Sequence, residues 1–342
     1  MSHGPVVTVS RLIFSFEELG LAALFLLAFA NGANDAGKSV VTLEAPGPTG
    51  APTKRRPLAW GGFFTGVGSV AAILISGRLL TVFTPQTLVQ PQPVRPLDST
   101  FVLAALAGAT LWILAATLAR LPVSSTHAIV GSLVILAVYL YGPSAIQWTF
   151  LAYRIVLPLA GGPIAALIGV YIIDRLIRPK GSTPGKPPTR MTKLAHWATG
   201  AASAFARGIN DAPKMAALGA FFILANPSES IWLPYSIIAV AVLLGSVVLG
   251  HRVVVTAIGK HATLDQAQKS KANAATALVV SAGALIGAPL STTQVHQGSS
   301  AGVGGEKSVI RSSLRSMVLP WFVTLPGAGL VAVAVSYLMT LV

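Results

Sequence analysis

The chain has 342 residues, of which 53% are hydrophobic and 10% charged, with a formal net charge of +14 and no cysteine. Soluble domains carry about a quarter charged residues, so an ordinary cytosolic enzyme is excluded, as are disulfide frameworks, thiolate nucleophiles and Cys-ligated metals. The basic residues lie between apolar runs, which reads as membrane topology and not as a nucleic-acid-binding face.

Apolar stretches cover 19–43, 58–83, 100–119, 122–141, 150–177, 194–225, 232–258, 272–288, 290–305 and 316–341. A crossing needs about 20 residues, so ten crossings of a lipid bilayer are expected. The first twenty residues hold one Arg, with Glu17 and Glu18 before the first run. That is not a cleavable signal, and the N-terminus is expected to be retained. Loop 44–57 carries Lys54, Arg55 and Arg56, and loop 178–193 carries Arg178, Lys180, Lys186, Arg190 and Lys193. Loop 259–271 carries Lys260, Lys269 and Lys271, and loop 306–315 carries Lys307, Arg311 and Arg315. Loops 84–99, 142–149 and 226–231 hold only Arg95. Basic loops stay cytoplasmic. Ten crossings therefore put every basic loop inside, and both termini outside a multi-pass cell-membrane protein.

Two motifs occur twice. Asn31-Gly-Ala-Asn34-Asp35-Ala-Gly-Lys38 returns as Arg207-Gly-Ile-Asn210-Asp211-Ala-Pro-Lys214, an offset of 176. Pro122-Val-Ser124-Ser125-Thr126-His127 returns as Pro289-Leu-Ser291-Thr292-Thr293-Gln294, an offset of 167 that Gly131-Ser132 and Gly298-Ser299 share. The order is kept, which marks a duplication. An odd number of crossings per half inverts the second copy. The fold class is thus an all-α integral membrane protein of two inverted-topology repeats, about five crossings each, with broken helices at a central site. The expected organisation is a first repeat over 1–177, a basic cytoplasmic linker over 178–193 and a second repeat over 194–342. Secondary transporters are built this way, with substrate near the midplane.

Asp35 and Asp211 sit inside apolar stretches, each with a Lys three residues on, Lys38 and Lys214. That spacing places both groups on one helix face, and intramembrane charges mark functional sites. A bland alternative is a neutral pair that only holds the bundle. Arg207 is a third deep cation, or else snorkels to the cytoplasm. Asn-Asp and Pro213 are poor in helix interiors, so the chain is expected to unwind at each motif. Helices restarting at Asp35 and Asp211 would offer their N-termini to an anion. In the second motif Pro is expected in a first helical turn, with Ser124, Ser125 and Thr126, or Ser291, Thr292 and Thr293, as capping hydroxyls that converge on a tetrahedral oxyanion. His127 is a proton relay or a structural hydrogen-bonder. No HExxH, paired-Cys or Walker-type motif occurs, so neither metal nor cofactor is expected.

NGANDAGKS, ARGINDAPKM, LPVSSTHAIVGS and APLSTTQVHQGS resemble the signature segments of the PiT family of inorganic phosphate transporters, and GHRVVVTAIGKHATLD resembles its second half. The resemblance spans the chain. It implies phosphate as substrate, coupling to Na+ or H+, and a central site at Asn34, Asp35, Asn210, Asp211, Ser124, Ser125, Thr126, Ser291, Thr292 and Thr293. Family members commonly carry a second Asn where this chain has Lys38 and Lys214, which turns the expectation from Na+ to H+ coupling, with Asp35, Asp211 and His127 as proton carriers. Lys38, Lys214 and Arg207 join the substrate-binding set. Sulfate is the alternative cargo. An intramembrane aspartic protease also needs two carboxylates, but a dyad sharing one proton does not suit carboxylates that each have a Lys. A homodimer is compatible with this architecture, which does not fix the oligomeric state.

Overall fold

The computed structural model describes residues 15–35, 37–38, 40, 43, 55–90, 97–176, 189–223, 230–254, 264–304, 318 and 320–341. Most of the linker over 178–193, the first fourteen residues and most of loops 44–57 and 306–315 lie outside the described residues.

The first repeat contains α1 (Phe16–Asp35), α2 (Arg56–Ile75), the short α3 (Gly77–Phe83) and α4 (Pro85–Leu88), then α5 (Ser99–Leu118), α6 (Ser125–Tyr141) and α7 (Trp148–Leu176). The second contains α8 (Arg190–Ile223), α9 (Trp232–Leu249), α10 (Gln266–Ile286), α11 (Thr292–Gly304) and α12 (Pro320–Met339). Among the described residues α1, α2, α5, α7, α9 and α12 are long and apolar enough to cross a membrane. Polar caps start the helices locally. Asp98 accepts from Phe101 N–H at α5, and Asp265 makes a reciprocal capping box with Gln268 at α10. Gly287 ends α10 in the left-handed region, at φ 75°, where a side chain would be strained.

The repeats interlock. α1 packs on α9 and α8 on α2, while α6 packs on α12 and α11 on α7. With no hydrophobic drive between helices in lipid, close approach needs small residues. The motif glycines supply it: a Cβ on Gly32 would lie 2.1 Å from the Val242 carbonyl oxygen, and one on Gly208 would lie 2.2 Å from that of Thr65. Gly131 and Gly298 do the same against Leu325 and Pro163, at 2.0 and 2.3 Å. Both α7 and α12 contain a π-helical turn, Leu151–Val156 and Pro320–Thr324, followed by Leu157-Pro158 and Leu325-Pro326. Even this local distortion is duplicated.

The breaks fall where α5 turns back into α6 and α10 into α11. Each pair forms a helical hairpin, with its tip at 119–124 or 287–291. A hairpin returns the chain to its side of entry, as two crossings would. Two sequence expectations are corrected here. No helix restarts at Asp35 or Asp211, because Asp35 is the last residue of α1 and Asp211 lies inside the 34-residue α8. Pro213 is buried within α8, where contacts with α2 and α10 offset its missing hydrogen bond. Nor do Pro122 and Pro289 occupy first turns. Both precede the helices, α6 starting at Ser125 and α11 at Thr292, and rigidify the tips instead.

Candidate functional site

The hairpin tips meet. Ser124 Oγ caps α6 by accepting from His127 N–H at 3.3 Å, and Ser291 Oγ accepts from Gln294 N–H at 3.4 Å. The two serine oxygens are 2.9 Å apart. Being equivalent positions of the two repeats, they straddle the pseudo-two-fold axis.

Around this axis each half builds a similar cradle. Asn34 Oδ1 accepts from Val123 N–H at 2.9 Å, while its Nδ2 donates to the Leu121 carbonyl at 3.0 Å and to Thr117 Oγ1 at 2.9 Å. Asn210 Oδ1 accepts from Leu290 N–H at 3.2 Å, and its Nδ2 donates to the Leu290 carbonyl at 2.9 Å. The two asparagines clamp the backbone of the tips, which has no ladder partner of its own. Lys38 Nζ donates to Asp35, to the Val123 carbonyl at 2.9 Å and to Thr293 Oγ1 at 2.7 Å. Lys214 Nζ donates to Asp211 Oδ1 at 3.0 Å, to the Leu290 carbonyl at 2.8 Å and to Thr126 Oγ1 at 2.8 Å. These three partners of one lysine are the repeat-equivalents of the three partners of the other, and Lys38 Nζ alone also donates to an asparagine, Asn34 Oδ1, at 3.2 Å. Each ammonium joins its own half's carboxylate and tip to the opposite half's threonine. Thr293 Oγ1 also donates to Asp35 Oδ1 at 3.3 Å.

The halves differ at one pair of positions with large consequences for charge. Asn31 Nδ2 donates to Ser125 Oγ at 2.8 Å, and Ser125 Oγ donates to Asp35 Oδ2 at 3.1 Å. The equivalent of Asn31 is Arg207, which is 1% exposed and within electrostatic reach of both Asp35 and Asp211. It does not snorkel. Its Nε and Nη1 have no hydrogen-bond partner, nor does Asp211 Oδ2. Asp35, Lys38, Arg207, Asp211 and Lys214 are the buried Asp, Lys and Arg side chains among the described residues. They hold three cations against two carboxylates. An uncompensated buried cation is costly, so this centre favours an anion by one charge.

All the site residues expected from sequence converge here except Thr292, which is buried at the start of α11 but bonds to none of them. His127 Nδ1 lies 2.8 Å from Ser124 Oγ and its ring packs on Trp321, with centroids 4.5 Å apart. Its Nε2 is buried without a partner. Sequence reasoning missed Asn31, although its alignment with Arg207 pointed to it. It also missed the carbonyls of Val123 and Leu290, because apolar side chains hide the backbone's role. Their place after Pro122 and Pro289 was the available signal.

Two interlocked inverted repeats, with helix breaks meeting at a buried polar centre, are an architecture of membrane transporters. The family model described as the phosphate transporter family matches residues 31–186 and again 179–332. The chain belongs to the phosphate transporter family. It is 27% identical over 326 residues to a protein of Rhizobium meliloti named "Probable low-affinity inorganic phosphate transporter", covering 92% of this chain and 94% of that one. A protein of the same name from Mycobacterium tuberculosis (strain H37Rv) is 27% identical over 317 residues, covering 89% of this chain and 72% of the other. A solved structure described as the sodium-dependent phosphate transporter shares the fold, with a TM-score of 0.80 and 21% identity over 96% of this chain and 100% of that one.

Proposed function

We propose that the chain carries inorganic phosphate across the cell membrane by alternating access at the Ser124–Ser291 axis, without need of Na+ and driven by H+. The observation that carries this is the charge count at the centre, three buried cations facing two carboxylates. The anion sits between the hairpin tips. Thr126, Thr293, Ser124, Ser125 and Ser291 supply hydroxyls, and Arg207 supplies the unpartnered guanidinium nitrogens, whose planar fork suits an oxyanion. Binding exchanges the cross-half bonds of Lys38 and Lys214 for bonds to the anion, which loosens the two halves and allows them to move. Asp211 Oδ2, a buried acceptor with no donor, favours a cargo that can donate a hydrogen bond. Phosphate retains a proton near neutral pH and sulfate does not, so phosphate is preferred.

Lys38 and Lys214 hold fixed positive charge beside Asp35 and Asp211. A cation entering there is repelled by about 4 kcal/mol at 4 Å and an effective dielectric of 20. The solved relative is described as sodium-dependent; in this chain the ammonium groups take the place of the bound cation. Asp35, Asp211 and His127 carry the coupled proton. The charge pattern of the loops supports cytoplasmic basic loops and both termini outside. Labelled phosphate uptake into proteoliposomes, with Na+ replaced by choline and with sulfate as competitor, tests the reading. Uptake that collapses without Na+, or that sulfate abolishes at equal concentration, sinks it.

A further inference from the structure

A second polar cluster lies outside the central cradle. Lys269, Asn273, His296 and Ser300, with Leu264 and Ala272, line a narrow recess of about 10 Å³ that also reaches Lys38, about enough for one water molecule. Asn273 and Ser300 are each 2% exposed. Thr276 Oγ1, beside them on α10, donates to Ser299 Oγ at 3.1 Å, and Ser300 Oγ donates to the His296 carbonyl at 2.8 Å. Lys38 is the most exposed of the central ions, at 6%.

The repeat makes this cluster informative. The positions equivalent to Lys269, Asn273, His296 and Ser300, at the offset of 167, are Val102, Leu106, Ile129 and Leu133. All four are buried in the hydrophobic core. The two hairpins share their fold, so their geometry does not require polar residues here. Burying polar side chains in a membrane helix is costly, and a first repeat with apolar residues at these places shows that packing alone is satisfied without them. Polar and basic side chains therefore line a recess beside Lys38 on one side of the central site, and the mirror position is filled by aliphatic packing.

We propose that this recess is the passage of the oxyanion between the central site and the face at which α10 begins, with Lys269 as an outer anion-binding station and Lys38 as the hand-over point. The choice of cargo rests on the function proposed above; the one-sided placement of the recess does not. Lys269 and Lys38 are its cations, and Asn273, His296 and Ser300 supply polar groups to an anion stripped of water.

The chain has no native cysteine, so single substitutions report access directly. The full-length Asn273→Cys and Ser300→Cys variants, reconstituted in proteoliposomes, should react with a small charged methanethiosulfonate reagent from one face only. The Leu106→Cys and Leu133→Cys variants should not react in the same preparation, and saturating inorganic phosphate should slow the reaction at 273 and 300. Lys269→Gln should raise KM for phosphate by about two- to fivefold, the size of a partly screened charge interaction, with kcat little changed and Lys269→Arg restoring KM. Silence at both 273 and 300, or equal reaction at 106 and 133, overturns the passage. Reaction that phosphate does not slow, together with an unchanged KM in Lys269→Gln, overturns its role for the anion. If wild type moves no phosphate while the one-sided labelling holds, the cargo assignment fails and the path stands.

Discussion

Ser124 and Ser291 occupy the same position in the two repeats, and their hydroxyl oxygens touch at 2.9 Å. Contact between equivalent residues is possible only at a symmetry axis, so this neutral hydrogen bond marks the line along which the halves meet. Such a bond contributes about 1 kcal/mol net. The stronger ties across the axis are the charged ones, Lys38 to Thr293 and Lys214 to Thr126.

Removing those ties should weaken the anion site equally from either half. Thr126→Val and Thr293→Val keep volume but delete a hydroxyl. Loss of one charged hydrogen bond costs about 1.5–3 kcal/mol, roughly ten- to a hundredfold in affinity. Equilibrium binding of labelled phosphate to purified protein measures it. Unchanged binding in both well-folded variants rejects the hydroxyls as ligands.

Arg207 should control anion binding more than any neutral group. Arg207→Gln removes the charge excess at the centre, and phosphate affinity should fall at least as far as in the threonine variants. Arg207→Lys, a point charge without the fork, should fall between Gln and wild type. A Gln variant that binds as wild type does would place the guanidinium away from the anion.

The asparagine clamps should report on stability before affinity. Asn34→Ala and Asn210→Ala each strip partners from buried backbone groups at a hairpin tip, and each orphaned group costs about 1–3 kcal/mol. Asn34 bonds to Thr117 as well as the tip, so its loss should lower the thermal midpoint at least as much as loss of Asn210. Midpoints in detergent that do not move would show that the tips hold themselves.

Wild-type uptake should persist in choline. Lys38→Asn and Lys214→Asn should lower anion affinity and bring in a Na+ requirement, because each leaves a buried carboxylate without its counter-ion. Na+ titration of uptake in the two variants reads this directly. Variants as indifferent to Na+ as wild type would leave the lysines as bundle-neutralising groups.

Thr189, Ser144 and Ser230 are exposed and suit topology mapping. Thr189→Cys should label only from the cytoplasm, and Ser144→Cys and Ser230→Cys only from outside. Labelling of position 144 from the cytoplasm breaks the inverted arrangement.

Much of this was legible because duplication turns weak signals into paired ones. The helix starts after the two Pro-Ser/Thr strings and most residues of the cradle follow from the repeated strings, whereas the break expected at the second Asn-Asp string does not form. Pro213 misled, because propensity describes an isolated helix and α8 is held by its neighbours. The partner of each lysine was hidden for a different reason. Spacing along the chain ties Lys38 to Asp35, but no local pattern announces Thr293, which is 255 positions away. Arg207 was visible as a charge in an apolar run, yet only its burial separates a site residue from a snorkelling one.

If the two repeats were identical, exchanging their conformations would give the same molecule upside down, and the inward- and outward-facing forms would have equal free energy. Polar residues at 269, 273, 296 and 300 against aliphatic ones at 102, 106, 129 and 133 lift that degeneracy. Opening one route wets polar groups, while opening the other wets aliphatic side chains at a hydrophobic cost of about 25 cal/mol per Å². With the recess as the proposed passage, the substrate-free molecule has a built-in resting orientation, written in the differences between its halves.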